Sequence, residues 1–156
     1  MKKMINILIA LTLVAAMLAI PVLAAGNPSI SVSSASGMVG DTVTVNVSIS
    51  GNPGIVSGRV TLTYDKTALE LVELKNVKFQ GFSFAETGKA NHSSPVPMEG
   101  DGVLCSAKFK ILTAGSHSVA ATVESMRDGS NQLLSVSSAT GSVTGNKPAC
   151  NHTMGQ

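Results

Sequence analysis

Alternation of apolar and polar side chains runs through most of this chain, and it restricts the backbone to strands. Val43, Val45, Val47 and Ile49 alternate with Thr44, Asn46, Ser48 and Ser50. A period of two puts one set on a buried face and the other in water. After the turn cluster Gly51-Asn52-Pro53-Gly54 the pattern resumes, with Val56, Gly58, Val60, Leu62 and Tyr64 against Ser57, Arg59, Thr61 and Thr63. Val103, Cys105, Ala107, Phe109 and Ile111 share a third such face. Further strands are predicted at Ser29 to Ser34, Leu69 to Leu74, Val77 to Phe84, Ser116 to Val123, Gln132 to Val136 and Gly141 to Gly145, while the stretch around Gly88 to Gly102, with its Gly, Ser and Pro, reads as a connection. Eight or nine short strands with turn signals about every ten residues predict an all-β sandwich rather than a parallel sheet.

The N-terminus does not belong to that pattern. Met1-Lys2-Lys3 is a positive n-region, Ile5 to Ile20 is almost wholly apolar, and Pro21 precedes the small-residue exit Val22-Leu23-Ala24. These features predict a secretory signal peptide over residues 1–24, with Ala24 the last residue removed and no membrane span left after cleavage. The alternative is a retained anchor, since the run approaches spanning length; the helix-breaking Pro and the small-residue exit favour cleavage. Removing 24 residues from 156 leaves 132, enough for one domain that buries roughly two-thirds of its unfolded surface. That domain is placed at residues 25–145, with residues 146–156 as a linker or the opening of something further. Eleven Lys and Arg face nine Asp and Glu, and Lys2 and Lys3 account for the excess. A mature chain so close to neutral argues against nucleic acid as a partner.

No catalytic pattern is visible. His92 and His117 lie in no nucleophile elbow, HExxH or paired-Cys motif. Glu70, Glu73, Glu86, Glu99 and Glu124 are spread over strand faces and loops, with nothing to pair two of them for glycoside hydrolysis. Asp101-Gly102 and Asp128-Gly129-Ser130-Asn131 lack the twelve-residue calcium-loop spacing and read as turns. Cys105 falls on a strand and Cys150 in the polar tail; both read as unpaired thiols, and no cofactor or metal is called for.

The run Val39-Gly40-Asp41-Thr42-Val43-Thr44-Val45-Asn46-Val47, the segment Gly54 to Arg59 leading into Leu62-Thr63-Tyr64-Asp65-Lys66-Thr67-Ala68-Leu69-Glu70-Leu71, and Gly102-Val103-Leu104 with Lys108-Phe109-Lys110 resemble a cohesin domain over residues 28 to 145. The resemblance implies a nine-stranded jelly-roll sandwich. It also implies a non-catalytic module of a cellulosome or related cell-surface assembly, whose partner is a dockerin-bearing protein that carries the calcium itself. Lys147-Pro148-Ala149-Cys150-Asn151-His152-Thr153 resembles the opening of a Cys and His-containing extracellular repeat.

In that family the outward positions of the third strand and its neighbours meet the dockerin, which implies a partner-binding row of Ser57, Arg59, Thr61 and Thr63. Ser and Arg stand where cellulosomal members often show Asn and Asp, and a fixed positive charge in place of an acceptor changes which partner fits. Direct polysaccharide binding is the alternative, and a structural spacer in a surface protein is a third reading. Sugar platforms need exposed aromatic rings, and the chain has no Trp and one Tyr, Tyr64, on the same alternation as Val60 and Leu62. Phe79, Phe82 and Phe84 read as sandwich core. Asn46-Val47-Ser48 and Asn91-His92-Ser93 match the N-glycosylation pattern.

Overall fold

A computed structural model describes residues 27–81, 83–84 and 87–147, with no side-chain description for 83 and 84; the expected signal peptide and the Cys150 tail lie outside the described residues. The order is β1 (Ser29–Val32), β2 (Ala35–Met38), β3 (Thr42–Ser50), β4 (Ile55–Tyr64), β5 (Leu69–Asn76), β6 (Ser83–Phe84), β7 (Lys89–Met98), β8 (Gly102–Ile111), β9 (Gly115–Asp128) and β10 (Ala139–Asn146). Nine of these strands have four residues or more, and β6 has two. They form a four-stranded sheet, β1-β3-β8-β5, and a six-stranded sheet, β2-β10-β9-β4-β7-β6. This is the all-β sandwich that the alternation predicts and the jelly roll that the resemblance implies. Among the described residues no helix is long and apolar enough to cross a membrane.

The two inner faces meet in one core. Val45, Val47 and Ile49 of β3 and Cys105, Ala107, Phe109 and Ile111 of β8 come from the smaller sheet; Val60 and Leu62 of β4, Val119 and Ala121 of β9 and Val143 of β10 come from the larger. Tyr64, half-buried, packs its ring in a T-shaped arrangement with Phe109 at 4.9 Å between centroids, so the lone tyrosine packs on the core rather than forming a platform.

The expected first strand, Ser29 to Ser34, is two strands in different sheets. β1 pairs antiparallel with β3, and β2 pairs parallel with β10. Each serine of the crossover ties down one sheet: the Ser33 hydroxyl accepts from the Asn46 amide at 2.9 Å, and the Ser34 hydroxyl from the Ser142 amide at 3.1 Å. Gly141 lets the crossover pass, because a Cβ there would sit 2.5 Å from the Ser33 carbonyl.

Three other expectations change. The stretch from Gly88 to Gly102 is largely strand, since β7 spans Lys89–Met98; its inward positions are Ala90 and His92, so the usual aliphatic signal is missing. Val77 to Phe84 is mostly not strand. The backbone amides of Val77, Lys78 and Phe79 all turn to the Leu104 carbonyl, leaving Val77 exposed and Phe79 buried; Phe82 and the side chain of Phe84 fall outside what is described. Gln132 to Val136 runs beside β9 but makes a single bridge, Leu133 to Arg127, because β9 is irregular opposite it.

Candidate partner-binding face

That irregularity shapes the outer face of the larger sheet. Two residue steps along β4, from Ser57 to Arg59, pair with three along β9, from Arg127 to Glu124. On the other side Ile55 pairs with Met98 and Ser57 with Ser93, so two steps on β4 meet five on β7. Extra residues on one strand of a pair bend it and locally increase its twist. Bulges on both neighbours at the level of Ser57 leave a shallow depression of about 460 Å³.

Its rim carries Ser57, Arg59, Asn91, Ser93, Glu124 and Arg127. Arg59 spans the three strands: Nε donates to Asn91 Oδ1 at 2.7 Å, and a guanidinium nitrogen lies 3.5 Å from Glu124 Oε2. The Thr61 hydroxyl donates to Glu124 Oε1 at 2.7 Å. That hydrogen bond, with Lys89 and Arg59 nearby, holds the Glu124 carboxyl below its ordinary range. Glu124 is therefore an anion at neutral pH, already engaged by its neighbours.

All four residues predicted from the sequence lie on β4 and face away from the core, with Arg59 and Thr63 exposed and Ser57 and Thr61 half-buried. Ser57 and Arg59 line the depression, Thr61 reaches it through Glu124, and Thr63 lies farther along, paired with Ala120. Asn91, Ser93 and Arg127 were not anticipated. The first two sit on the strand that alternation misses. Arg127 would point inward if β9 kept the parity of Val119 and Ala121; the extra residue at Ser125, whose φ is +54°, sends Met126 into the core and Arg127 out.

His92 belongs to the interior. It is 3% exposed, its Nδ1 accepts from the Gln80 amide at 2.8 Å and its Nε2 lies 3.2 Å from the Ile55 carbonyl. Nδ1 as acceptor fixes the Nε2-H tautomer, and the ring stacks on Phe79 at 5.2 Å. Burial pushes its pKa down, with the Ile55 hydrogen bond opposing. Among the described residues no group of three or more His, Cys, Asp or Glu comes together around a metal-sized space.

Residues 28–145 match the family model of the cohesin domain. The chain belongs to the cohesin family. Cohesin domains are non-catalytic binding modules, and the chain is therefore not an enzyme. Solved cohesins share its fold. The seventh ScaB type I cohesin of Pseudobacteroides cellulosolvens is 22% identical, with a TM-score of 0.65 over 83% of this chain and 98% of that one. The sixth cohesin of scaffoldin B from Acetivibrio cellulolyticus, solved with a mutant Cel5 dockerin, is also 22% identical, with a TM-score of 0.64 over 77% and 99%. A non-cellulosomal cohesin from the hyperthermophilic archaeon Archaeoglobus fulgidus is 19% identical, with a TM-score of 0.63 over 78% and 92%. No curated protein matches this cohesin closely enough to count as a relative.

Proposed function

We propose that this cohesin is a secreted attachment module that binds a calcium-loaded dockerin-bearing protein, within an extracellular or cell-surface polysaccharide-degrading assembly. The contact is made through the outer row Ser57, Arg59, Thr61 and Thr63. The observation that carries the reading is the family match over residues 28–145, joined by a solved relative in complex with a dockerin. The outward side chains of β4 support the choice of face: they are polar, and one of them, Arg59, is an exposed arginine. Arginine is enriched among interface hot spots, because its planar fork pairs with carboxylates and carbonyls.

Residues 1–24 are the leader that exports the module, residues 25–145 the module itself, and residues 146–156 a linker or the start of a Cys and His-containing repeat. N-terminal sequencing of exported material is expected to begin near Ala25; a chain that keeps Met1 to Ile20 is anchored instead.

The binding claim is tested by titrating calcium-loaded dockerins and insoluble cellulose against the parent, Arg59→Ala and Arg59→Asp. Parent binding to a dockerin, weakened by more than ~1 to 2 kcal/mol in either variant, is expected. The melting temperature should barely move, since exposed ion pairs contribute under about 1 kcal/mol. Cellulose binding with no dockerin response favours direct polysaccharide recognition, and binding to neither favours the spacer.

A further inference from the structure

The chain contains two arginines, Arg59 and Arg127, and both line the same depression. They come from different strands, and neither strand's ordinary geometry alone brings them together. Arg59 faces outward by simple alternation, whereas Arg127 does so only through the β9 bulge at Ser125, a non-glycine residue at φ +54°. Left-handed backbone at such a residue is costly, and strain of this kind collects at binding sites, where the surrounding structure holds it in place.

Among the described residues the charges around the depression do not cancel. Glu124 is engaged by the Thr61 hydroxyl and lies 3.5 Å from Arg59. Arg127 makes no ion pair among the described residues; its guanidinium donates to the Asn131 carbonyl at 2.8 Å. Asp128, the nearest acid along the chain, turns away: its Oδ1 accepts from the amides of Ser130 and Gln132, both at 2.9 Å. Among the described residues two guanidinium groups thus line, with one carboxylate, a pocket that also carries Ser57 and Ser93, and Lys89 adds positive charge near that carboxylate.

Resting on the dockerin-binding reading, we propose that this depression is an acceptor site for an acidic side chain, Asp or Glu, presented by the protein partner, with Arg127 as its principal anchor. A guanidinium offers several N-H donors in a fixed fork and pairs with a carboxylate in a bidentate way. One carboxylate from the partner pairs with the second arginine, which has no carboxylate of its own among the described residues. The partner selected is one with an acid at the contact; a lysine or arginine there meets like charge and is excluded.

The test titrates the parent, R127A and R127K with a panel of calcium-loaded dockerins. A dockerin that binds the parent is expected to lose at least tenfold in affinity toward R127A, with an intermediate loss toward R127K and no change in melting temperature. Amidation of the contacting acid, Asp→Asn or Glu→Gln, should cost a similar factor on the parent and almost nothing on R127A. Raising the salt should weaken the parent complex more than the R127A complex. A dockerin bound equally well by parent and R127A overturns the acidic-anchor proposal and leaves the dockerin reading intact.

If no dockerin binds the parent, that reading fails, and the anchor is decided by side-chain NMR with a glutamate-bearing peptide and its glutamine twin. Arginine Nε-H shifts at Arg127 with the glutamate peptide alone support it. Equal response to both peptides, no response, or the same response to acetate overturns it.

Discussion

Among the described residues His92 is the one buried polar or charged side chain, and it is tolerated because both ring nitrogens are bonded. Unfolded, its pKa returns to the ordinary 6.5; folded, burial keeps it lower. Between those values the unfolded chain binds a proton that the folded chain refuses. The His92 contribution to stability therefore stays flat above pH ~6.5 and falls as the pH drops below it. The carboxyls of Asp65 and Glu124, lowered first by hydrogen bonds from Thr67 and Thr61, lose their contribution only below their ordinary values of 3.8 and 4.5. Thermal melts between pH 8 and pH 5 thus cover the His92 step and lie above the range in which these two carboxyls lose theirs. His92→Gln is expected to remove most of the slope in that window; an unchanged slope would show that the imidazole is not the group responsible.

At the scale of elements, most strands could be read from alternation, and the departures trace to bulges and to inward positions without aliphatic side chains. In β5, Leu71 pairs with Phe109 and Glu73 with Lys108, so Val72 is the extra residue: it stands 50% exposed while Leu69 and Leu74 are buried. In β8 the register shifts opposite Val47 and Ser48, and both Leu104 and Cys105 are buried. A fixed parity cannot follow such steps, because one inserted residue exchanges the two faces. This is why alternation turns Ser57, Arg59, Thr61 and Thr63 outward on an unbroken run and cannot follow the chain to Arg127 beyond a bulge. β7 was hidden for another reason: Pro95 and Pro97 read as a loop, yet they lie beyond the short β6 pairing, on a stretch that is an edge on that side.

The bulge itself makes a prediction. Ser125→Gly should leave folding and partner binding nearly unchanged, since glycine adopts φ +54° freely. Ser125→Val should cost ~1 to 3 kcal/mol, because a β-branched residue resists that conformation. Urea denaturation measures both; equal stability of the two variants would mean that the turn at 125 is not held in the left-handed region.

On the scale of the whole molecule, the question is what holds two sheets together in a domain with so few aromatic residues. The contribution comes from aliphatic side chains of both inner faces, with Phe109 fully buried in T-shaped contact with the Tyr64 ring. Other means of reinforcement are committed elsewhere. The Cys105 thiol is fully buried, its pKa pushed up to about 12 by desolvation, so it supplies no reactive thiolate. Four oxygens of the Asp101 turn already serve protein donors: the Lys78 ammonium donates to the carbonyls of Glu99, Gly100 and Asp101 at 2.7 to 3.1 Å, and Asp101 Oδ1 accepts from the Asn52 amide. The Asp128 turn likewise spends its carboxylate on loop amides. Stability should therefore respond to core volume and not to metal or redox state. Leu62→Ala, at a position 5% exposed, is expected to cost ~2 to 5 kcal/mol through lost burial and the cavity left behind. EDTA or dithiothreitol should leave the melting temperature of the parent unchanged. A Leu62→Ala variant as stable as the parent would refute the inward register of β4, and a drop in melting temperature with EDTA would mean that a bound cation, not the lysine, organises these turns.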